Sequence, residues 1–542
     1  MSADHAVDAL RRYQYLVLLL LSSFYLLATC FRASRKLFWF DEIFTVYISR
    51  LPDMASVWGA LKHGADLNPP VFYGFVRLSE SLFGEGHVGS RLPEILGFWI
   101  CCLCLFRFVS SRTSVLAGLI SMLFPLVTTA YFYAYEARPH GIVLGCGAIA
   151  LVCWQSAKRS QPRTWWLIGL FVSLLCGILN HTYAVLLLVP LGLAELLCSV
   201  IVRRVDWMVW LATVSPLSGA LLYLPLLRSV KGGLPQGASP GFSLLANSYQ
   251  FHFGPAVGVL SAALMLHFVS IFGLPELEPP STARKQNEQL DPSEIVALLG
   301  FLAMPVFCFM VSKVMGVPLY SRYSISTVIG FSCLFGMVTA QKRLVGWGVL
   351  FFLFTQIAIN FYQYTKSDSI SEPSISLALS TRASEFAHVY QMMEALPDKN
   401  APIVLLAGDH EFLPIMHYAP TNIASRLVYV LSPGNDVNGE GCAILRRLCN
   451  FPGRCERMAD FLAAHDTFFV HGNSDPFDRL GRFIRAGADV RMEFILEDSY
   501  FVSVTMKKSL SGAEPHFVDS APELAAPSRV SKVPVFVRHQ SR

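Results

Sequence analysis

The chain has 542 residues, 53% of them hydrophobic and only 15% charged, an excess of apolar over charged side chains that exceeds the soluble norm. A soluble fold has no interior that could hide so much apolar surface, so lipid must be the solvent for most of the chain. The formal net charge of +5 is modest and sits mainly in loops, which argues against nucleic acid as a partner and for membrane orientation.

In chain order, apolar windows run roughly over Tyr13–Phe31, Pro93–Arg107, Thr113–Tyr133, Pro139–Ser156, Thr164–Asn180, Tyr183–Val202 and Trp207–Leu227. They continue over Pro255–Phe272, Ile295–Val314, Tyr323–Ala340 and Val345–Tyr362. Each is near the ~20 residues that cross a bilayer, which predicts about eleven transmembrane helices. The first window follows Arg11 and Arg12, but no small-residue cleavage site follows it, so it reads as a retained span. Val71–Phe83 is apolar yet only about 13 residues long, and it carries Arg77 and Glu80. It is predicted to lie on the membrane as an amphipathic helix.

With that segment excluded, Arg107 with Arg112, Lys158 with Arg159 and Arg163, Arg203 with Arg204, Arg284 with Lys285, and Lys342 with Arg343 all fall on the side of Arg11 and Arg12. The positive-inside rule makes that side cytoplasmic. Arg32, Arg35, Lys36, Arg50 and Lys62 in the first outward loop run against the rule, in a loop of about 60 residues where it loses force. The expected organisation is an all-α polytopic membrane domain over 1–364 with a functional outer loop at 32–92. A small extracytoplasmic α/β domain follows over 365–507, then a disordered tail over 508–542 rich in Pro, Ser and Ala. Pro402–Ala407, Leu427–Leu431, Thr467–Val470 and Phe494–Val504 read as its strands. Most of the thirteen cysteines lie in apolar spans and act as small hydrophobes. Cys442, Cys449 and Cys455 lie outside them, where either one pair bridges and one thiol is left over, or all three stay unpaired.

The polar residues then gather on the outer face. Asp41 and Glu42 are adjacent carboxylates inside the aromatic run Phe38–Phe44, where a tuned general base or a metal ligand is one reading and a helix N-cap at Asp41 the other. Asp66-Leu67-Asn68-Pro69-Pro70 sets the start of the surface helix through its paired prolines. Glu136, Arg138 and His140 stand where two spans meet, with headgroup or mutual pairing as the plainer reading. His181 and the stretch Tyr320-Ser321-Arg322-Tyr323 reach the same face, where single cationic side chains commonly serve as snorkelling anchors. No P-loop or zinc-protease helix is present, nor two Cys-x-x-Cys motifs of the kind that pair at a structural zinc.

The order of these pieces resembles the polytopic lipid-linked-sugar glycosyltransferases of the C-type fold, family 39-like. The likeness is strongest to the bacterial branch similar to protein O-mannosyltransferases and the lipid A aminoarabinose transferase. The resemblance spans Tyr13 to Tyr364. It rests on Phe-Asp-Glu at Phe40–Glu42, Asn-Pro-Pro-Val-Phe-Tyr at Asn68–Tyr73, Ser-Arg-Leu-Pro at Ser90–Pro93, Tyr-Glu-Ala-Arg-Pro-His at Tyr135–His140, and Ser-Arg-Tyr at Ser321–Tyr323. It implies transfer of a sugar from a polyprenyl-phosphate donor to an acceptor on the periplasmic face of a bacterial inner membrane, with the N-terminus cytoplasmic and membrane lipids around the helices. It implies Asp41 as general base, with Glu42 in support and Glu136 as a second acidic position. It implies Arg322 at the donor phosphate, assisted by Arg138, with Asn68, Tyr320, His140 and His181 lining the same region. Relatives often carry a basic or imidazole side chain where Asn68 stands, so the amide offers a hydrogen bond in place of a charge. The family includes members with and without a divalent metal, and the sugar and acceptor are left open. The rival reading is a transporter or lipid flippase, which would place its ionisable groups at mid-membrane in repeated halves.

Overall fold

The computed structural model describes residues 10–230, 241–272, 291–316, 319–366, 383–406, 409–431, 441–473 and 480–506, apart from 482, 485–486 and 496–498. The expected loop at Arg284–Lys285 and the expected disordered tail over 508–542 lie outside the described residues. Among the described residues seven helices are long and apolar enough to cross a membrane, or up to nine with each of two bent pairs taken as one span. The remaining two expected spans are apolar helices below that length, Thr164–Asn180 with 17 residues and Thr327–Thr339 with 13.

The bends have local causes. Val115–Leu123 passes at Pro125 into 3-10 turns and the segment over 129–135 swings away by 72°. Pro292–Leu302 and Met304–Met315 meet at 54°, with Pro305 in the first turn of the second helix. One expectation is corrected: the span expected to begin at Pro255 is a continuation of helix from Phe242, giving 30 residues to Ile271. Asn247, Ser248, Gln250 and His252 dilute its apolar signal, but Ser248 and His252 are buried and bonded to Ser321 and Ser324.

Helix α1 (Gln14–Arg35) leads into α2 (Phe40–Ser49), then α3 (Pro70–Phe83) and α4 (His87–Ser110). Helix α3 matches the expected surface helix. Pro70 opens it, Gly84 at φ 90° closes it, and Leu78, Leu82 and Phe83 stay exposed along it. Its charges are spent locally: Arg77 donates to the carbonyls of Ser49 and Pro52, and Glu80 accepts from Arg50 and Ser90. Helix α5 (His140–Ala157) lies against α4 along a glycine seam. A Cβ at Gly97 would stand 2.7 Å from the Gly141 carbonyl, and one at Gly141 would stand 2.4 Å from the Glu94 carbonyl oxygen. Only hydrogens fit there, so the two backbones approach as closely as small-residue membrane seams allow.

Beyond residue 403 lies a six-stranded sheet of order β3-β2-β1-β4-β6-β5, with β1 (Ile403–Leu405), β2 (Leu427–Leu431), β3 (Arg454–Arg457) and β4 (Thr467–Asn473) parallel. The single expected strand Phe494–Val504 is two antiparallel ones, β5 (Ala488–Ile495) and β6 (Ser499–Met506). Strand β3 was not foreseen, because Arg-Cys-Glu-Arg carries no apolar alternation; it is an edge strand, where charge is tolerated. Cys442 and Cys455 form a disulfide and Cys449 is free and buried, as the one-pair reading expects. Helix α6 (Asp409–Tyr418) covers the sheet face that also meets α2. Phe38, Ile43 and Val46 share one core with Ile403, Leu405 and Phe469.

Candidate active site

Asp41 and Glu42 are neighbours in sequence and are put to different uses. Helix α2 starts at Phe40 with Trp39 as its N-cap, so Asp41 is not the cap that the plainer reading made it. Glu42 does that work, accepting from the Trp39 amide at 3.4 Å and the Ala137 amide at 2.7 Å. Arg91 meets both Glu42 oxygens at 2.7 Å, and the two side chains are 0% exposed. Burial alone would raise the Glu42 carboxyl, but Arg91, Lys36 and the Ala137 amide outweigh it and hold it below its usual range. Arg91 also donates to the carbonyls of Ala33, Lys36 and Leu37, which ties the end of α1 to α4.

Glu136 sits beside this knot. The Lys36 ammonium reaches it at 2.7 Å while lying 4.2 Å from the centre of the Phe132 ring. Two of the five outer-loop cations that run against the charge rule are thereby accounted for: Lys36 is buried against Glu136, and Arg50 pairs with Glu80 at 2.9 Å. Glu42 and Glu136 are thus both held in buried ion pairs, with Arg91 and Lys36.

Asp41 belongs to a second set, reached by water. Its Oδ2 is 3.0 Å from Arg322 and 3.9 Å from Arg138, with the Asp41 and Arg322 side chains 15% and 22% exposed. Arg138 is committed more tightly to Asp66, at 2.6 Å. Asp66 also accepts from the Tyr73 hydroxyl at 2.7 Å, the Leu67 amide at 2.6 Å and the Asn68 amide group at 3.2 Å. Burial works against the Asp66 carboxylate, and Arg138 and Tyr73 hold it below its usual range all the same.

Arg322 sits in a short 3-10 turn, Ser321–Ser324, and lies over aromatic faces, 5.2 Å from the centre of Tyr320 and 5.8 Å from those of Trp39 and Tyr323. His140 and His181 line the inner wall with ring centres 5.5 Å apart, and His181 stands 5.6 Å from Tyr323. His181 Nδ1 accepts the Tyr183 amide, and burial together with Arg138 and Arg322 pushes its pKa down to about 3. It is therefore a neutral hydrogen-bonding group near neutral pH.

Of the nine residues expected at the site, Asp41, Asn68, Arg138, His140, His181, Tyr320 and Arg322 come together, while Glu42 and Glu136 form the adjoining anchor. Asp66, Lys36 and Arg91 were not foreseen. The one available signal was that Asp66 and Arg91 lay inside motifs already singled out. Among the described residues no three His, Cys, Asp or Glu side chains are grouped to hold a metal ion.

Residues 67–228 match the family described as dolichyl-phosphate-mannose-protein mannosyltransferase. This stretch holds Asn68, Arg91, Glu136, Arg138, His140 and His181, while Asp41 and Arg322 flank it. The fold is similar to ArnT from Cupriavidus metallidurans bound to undecaprenyl phosphate, at 13% sequence identity and TM-score 0.55, covering 93% of this chain and all, 100%, of that one. The apo state of ArnT from the same organism gives 12% identity and TM-score 0.54, over 92% of this chain and 99% of that one. No curated protein sequence matches the chain. At these identities the likeness is one of fold, and the fold is the C-type glycosyltransferase fold expected from the ordered motifs.

Proposed function

We propose that the protein is a membrane glycosyltransferase that moves a sugar from a polyprenyl-phosphate carrier to an acceptor hydroxyl on the periplasmic face, with the membrane domain over 1–364 and the outer domain over 365–507. The observation that carries the reading is the solvent-reached pair of Asp41 and Arg322 at 3.0 Å, set against a buried anchor that needs neither of them. A carboxylate and a guanidinium side by side match the two demands of the reaction, a proton to be taken and a phosphate charge to be met.

The acceptor oxygen attacks the anomeric carbon while Asp41 takes its proton. The bond from that carbon to the phosphate oxygen breaks, and the electron pair leaves with the lipid phosphate. Arg138 is held by Asp66, so of the two cations beside Asp41 among the described residues Arg322 is the one that exchanges partners. Donor phosphate draws Arg322 from Asp41 and in doing so releases the base. Donor binding therefore precedes acceptor activation. The similarity to a fold solved with undecaprenyl phosphate supports a carrier of that class, and the positive-inside reading of the basic loops supports an outward site.

The test is transfer of radiolabelled sugar from a panel of polyprenyl-phosphate donors by membranes holding equal amounts of wild type, Asp41→Asn or Arg322→Ala. The reading expects wild-type transfer and its collapse in both variants. Equal transfer by all three removes the assigned site, and silence from folded wild type across the panel favours a transporter.

A further inference from the structure

Arg322 is carried by a turn with little hold of its own. Ser321–Ser324 is four residues of 3-10 helix, and Tyr320 before it makes no side-chain capping bond. Such turns have poor internal hydrogen-bond geometry, so their shape depends on what fixes them from outside. Here that neighbour is the thirty-residue helix Phe242–Ile271.

Two side chains one helical turn apart on that helix face the Arg322 turn. His252 is 0% exposed, and its Nε2 lies 3.0 Å from both the Ser321 carbonyl oxygen and the Ser324 Oγ. Ser248, also buried, brings its Oγ to 3.2 Å from the Ser321 Oγ. The directions of these bonds follow from what each atom can give. A carbonyl only accepts, so Nε2 carries a proton, and in the neutral ring Nδ1 is bare. Ser324 spends its own proton on the Ser321 carbonyl at 2.8 Å, which leaves its Oγ as the second acceptor for Nε2. Ser248 likewise donates to the Leu244 carbonyl at 2.9 Å and so accepts from Ser321.

The clasp is itself held from behind. Thr129 donates to the carbonyl of Phe251, beside His252. The Tyr249 hydroxyl donates to the Leu302 carbonyl at 3.0 Å, where Thr327 donates as well at 2.9 Å. A histidine on an apolar helix is costly to bury, and ionisable residues in such places mark function by default. Packing does not explain this one, because its Nδ1 is buried with no hydrogen-bond partner among the described residues. What the ring provides is one N–H aimed at two oxygens of the turn that presents Arg322.

We propose that His252 is a positioning residue: it fixes the Ser321–Ser324 turn, so that the Arg322 guanidinium can leave Asp41 for the donor phosphate while its backbone stays in place. This rests on the function proposed above, in which Arg322 exchanges those partners. His252 acts through Arg322 and takes no part in the chemistry.

The test is a double-variant cycle on full-length protein in lipid nanodiscs, reading undecaprenyl phosphate binding and thermal unfolding. The proteins are wild type, His252→Leu, His252→Gln, Arg322→Ala, and Arg322→Ala combined with His252→Leu. Leucine removes the N–H, whereas glutamine keeps one at the reach of Nε2. His252→Leu is expected to weaken binding by about tenfold, the worth of one or two hydrogen bonds. Its melting temperature stays close to wild type, since the Ser321 carbonyl keeps the Ser324 hydroxyl and an unpaired nitrogen is removed. His252→Gln binds within about threefold of wild type, because its donor is retained. Arg322→Ala binds more weakly than wild type, and adding His252→Leu weakens it no further, since the residue through which His252 acts is gone. Should His252→Leu lose its folded elution profile, Ser324→Ala replaces it in both backgrounds, with a weakening of about threefold or more for one lost bond. If wild type binds no undecaprenyl phosphate, or Arg322→Ala binds it as tightly as wild type, the donor site is overturned and this role with it. With those two results in order, three outcomes overturn the role of His252 alone: unchanged binding in the folded leucine or alanine variant, a glutamine variant as weak as the leucine one, or an equal further loss in the Arg322→Ala background.

Discussion

The separation of two adjacent carboxylates into different roles makes a quantitative prediction. In Glu42→Ala, Arg91 keeps its three backbone carbonyls but loses both oxygens of its counter-ion, in a place where the guanidinium is 0% exposed. Breaking one side of such a pair costs about 3–5 kcal/mol, because a charge is left buried without compensation. Total stabilities of about 5–15 kcal/mol make that a large share. Asp41→Ala, by contrast, leaves Arg322 partly exposed and still over the rings of Tyr320, Tyr323 and Trp39, and its cost is expected to be the smaller of the two.

The assay is thermal unfolding in nanodiscs followed by tryptophan fluorescence, with sugar transfer measured on the same preparations. Glu42→Ala is expected to lose stability and activity together, Asp41→Ala activity alone. The paired change Glu42→Gln with Arg91→Met removes both charges but also the donor to three buried carbonyls, and is expected to recover only part of the melting temperature. The Glu42 contribution is complete above its unfolded value of 4.5 and is lost only as pH falls through its lower folded value, so it does not vary between pH 5 and 7. A Glu42→Ala protein that melts like wild type yet transfers no sugar would refute the division of labour, since Glu42 would then act in the reaction.

Further outcomes follow from other parts of the fold. Arg322→Lys keeps a charge but gives up the planar contact with Tyr320 and Tyr323, and is expected to raise the donor KM more than it lowers kcat; the reverse pattern in steady-state kinetics counts against a phosphate role. Gly141→Val forces a side chain against the Glu94 carbonyl at 2.4 Å and is expected to cost about 1–3 kcal/mol in melting experiments, whereas Gly59→Ala, with nothing within 4 Å, is expected to be neutral or slightly stabilising. Relative to wild type, His471→Gln removes a group whose folded value lies below 6.5, so stability gained between about pH 4 and 6.5 disappears. Glu411→Gln removes a group raised from 4.5 to about 7, so stability lost as pH rises over that window is restored. Each effect is about 3 kcal/mol and the two have opposite slopes; melting scans in which both variants shift the same way would contradict the assigned burial.

The apolar spans were legible because crossing lipid leaves little freedom of sequence: a helix of about 20 apolar residues is the only economical answer. The fold's C-type character was legible because five short motifs came in order on one face. Side-chain allegiance was not. Asp41 and Glu42 differ by about 100° of helical rotation, which sequence cannot convert into contacts until the partners are known. Those partners, Arg322 and Arg91, lie far away in the chain. Lys36 and Arg50 looked like violations of a charge rule because their neutralising carboxylates, Glu136 and Glu80, also had to be found in three dimensions. The outer domain was legible only as strands, and its edge strand Arg454–Arg457 is held by pairing with β2, not by any pattern of its own.

The seat of α6 on α2 limits how this protein can be cut or recombined. The Phe38 amide donates to the Tyr418 hydroxyl at 2.7 Å, which also meets His87 at 2.9 Å, and Tyr47 meets His417 at 3.2 Å. A chain ended after Lys366 would strand that amide and uncover Phe38, Ile43 and Val46, so it would be a damaged enzyme and not a minimal one. A chimera faces the same demand in a narrower form. Most of a foreign outer domain can differ freely, but the helix after its first strand must present a tyrosine hydroxyl and an imidazole in this spacing, or the helix that carries Asp41 loses its footing.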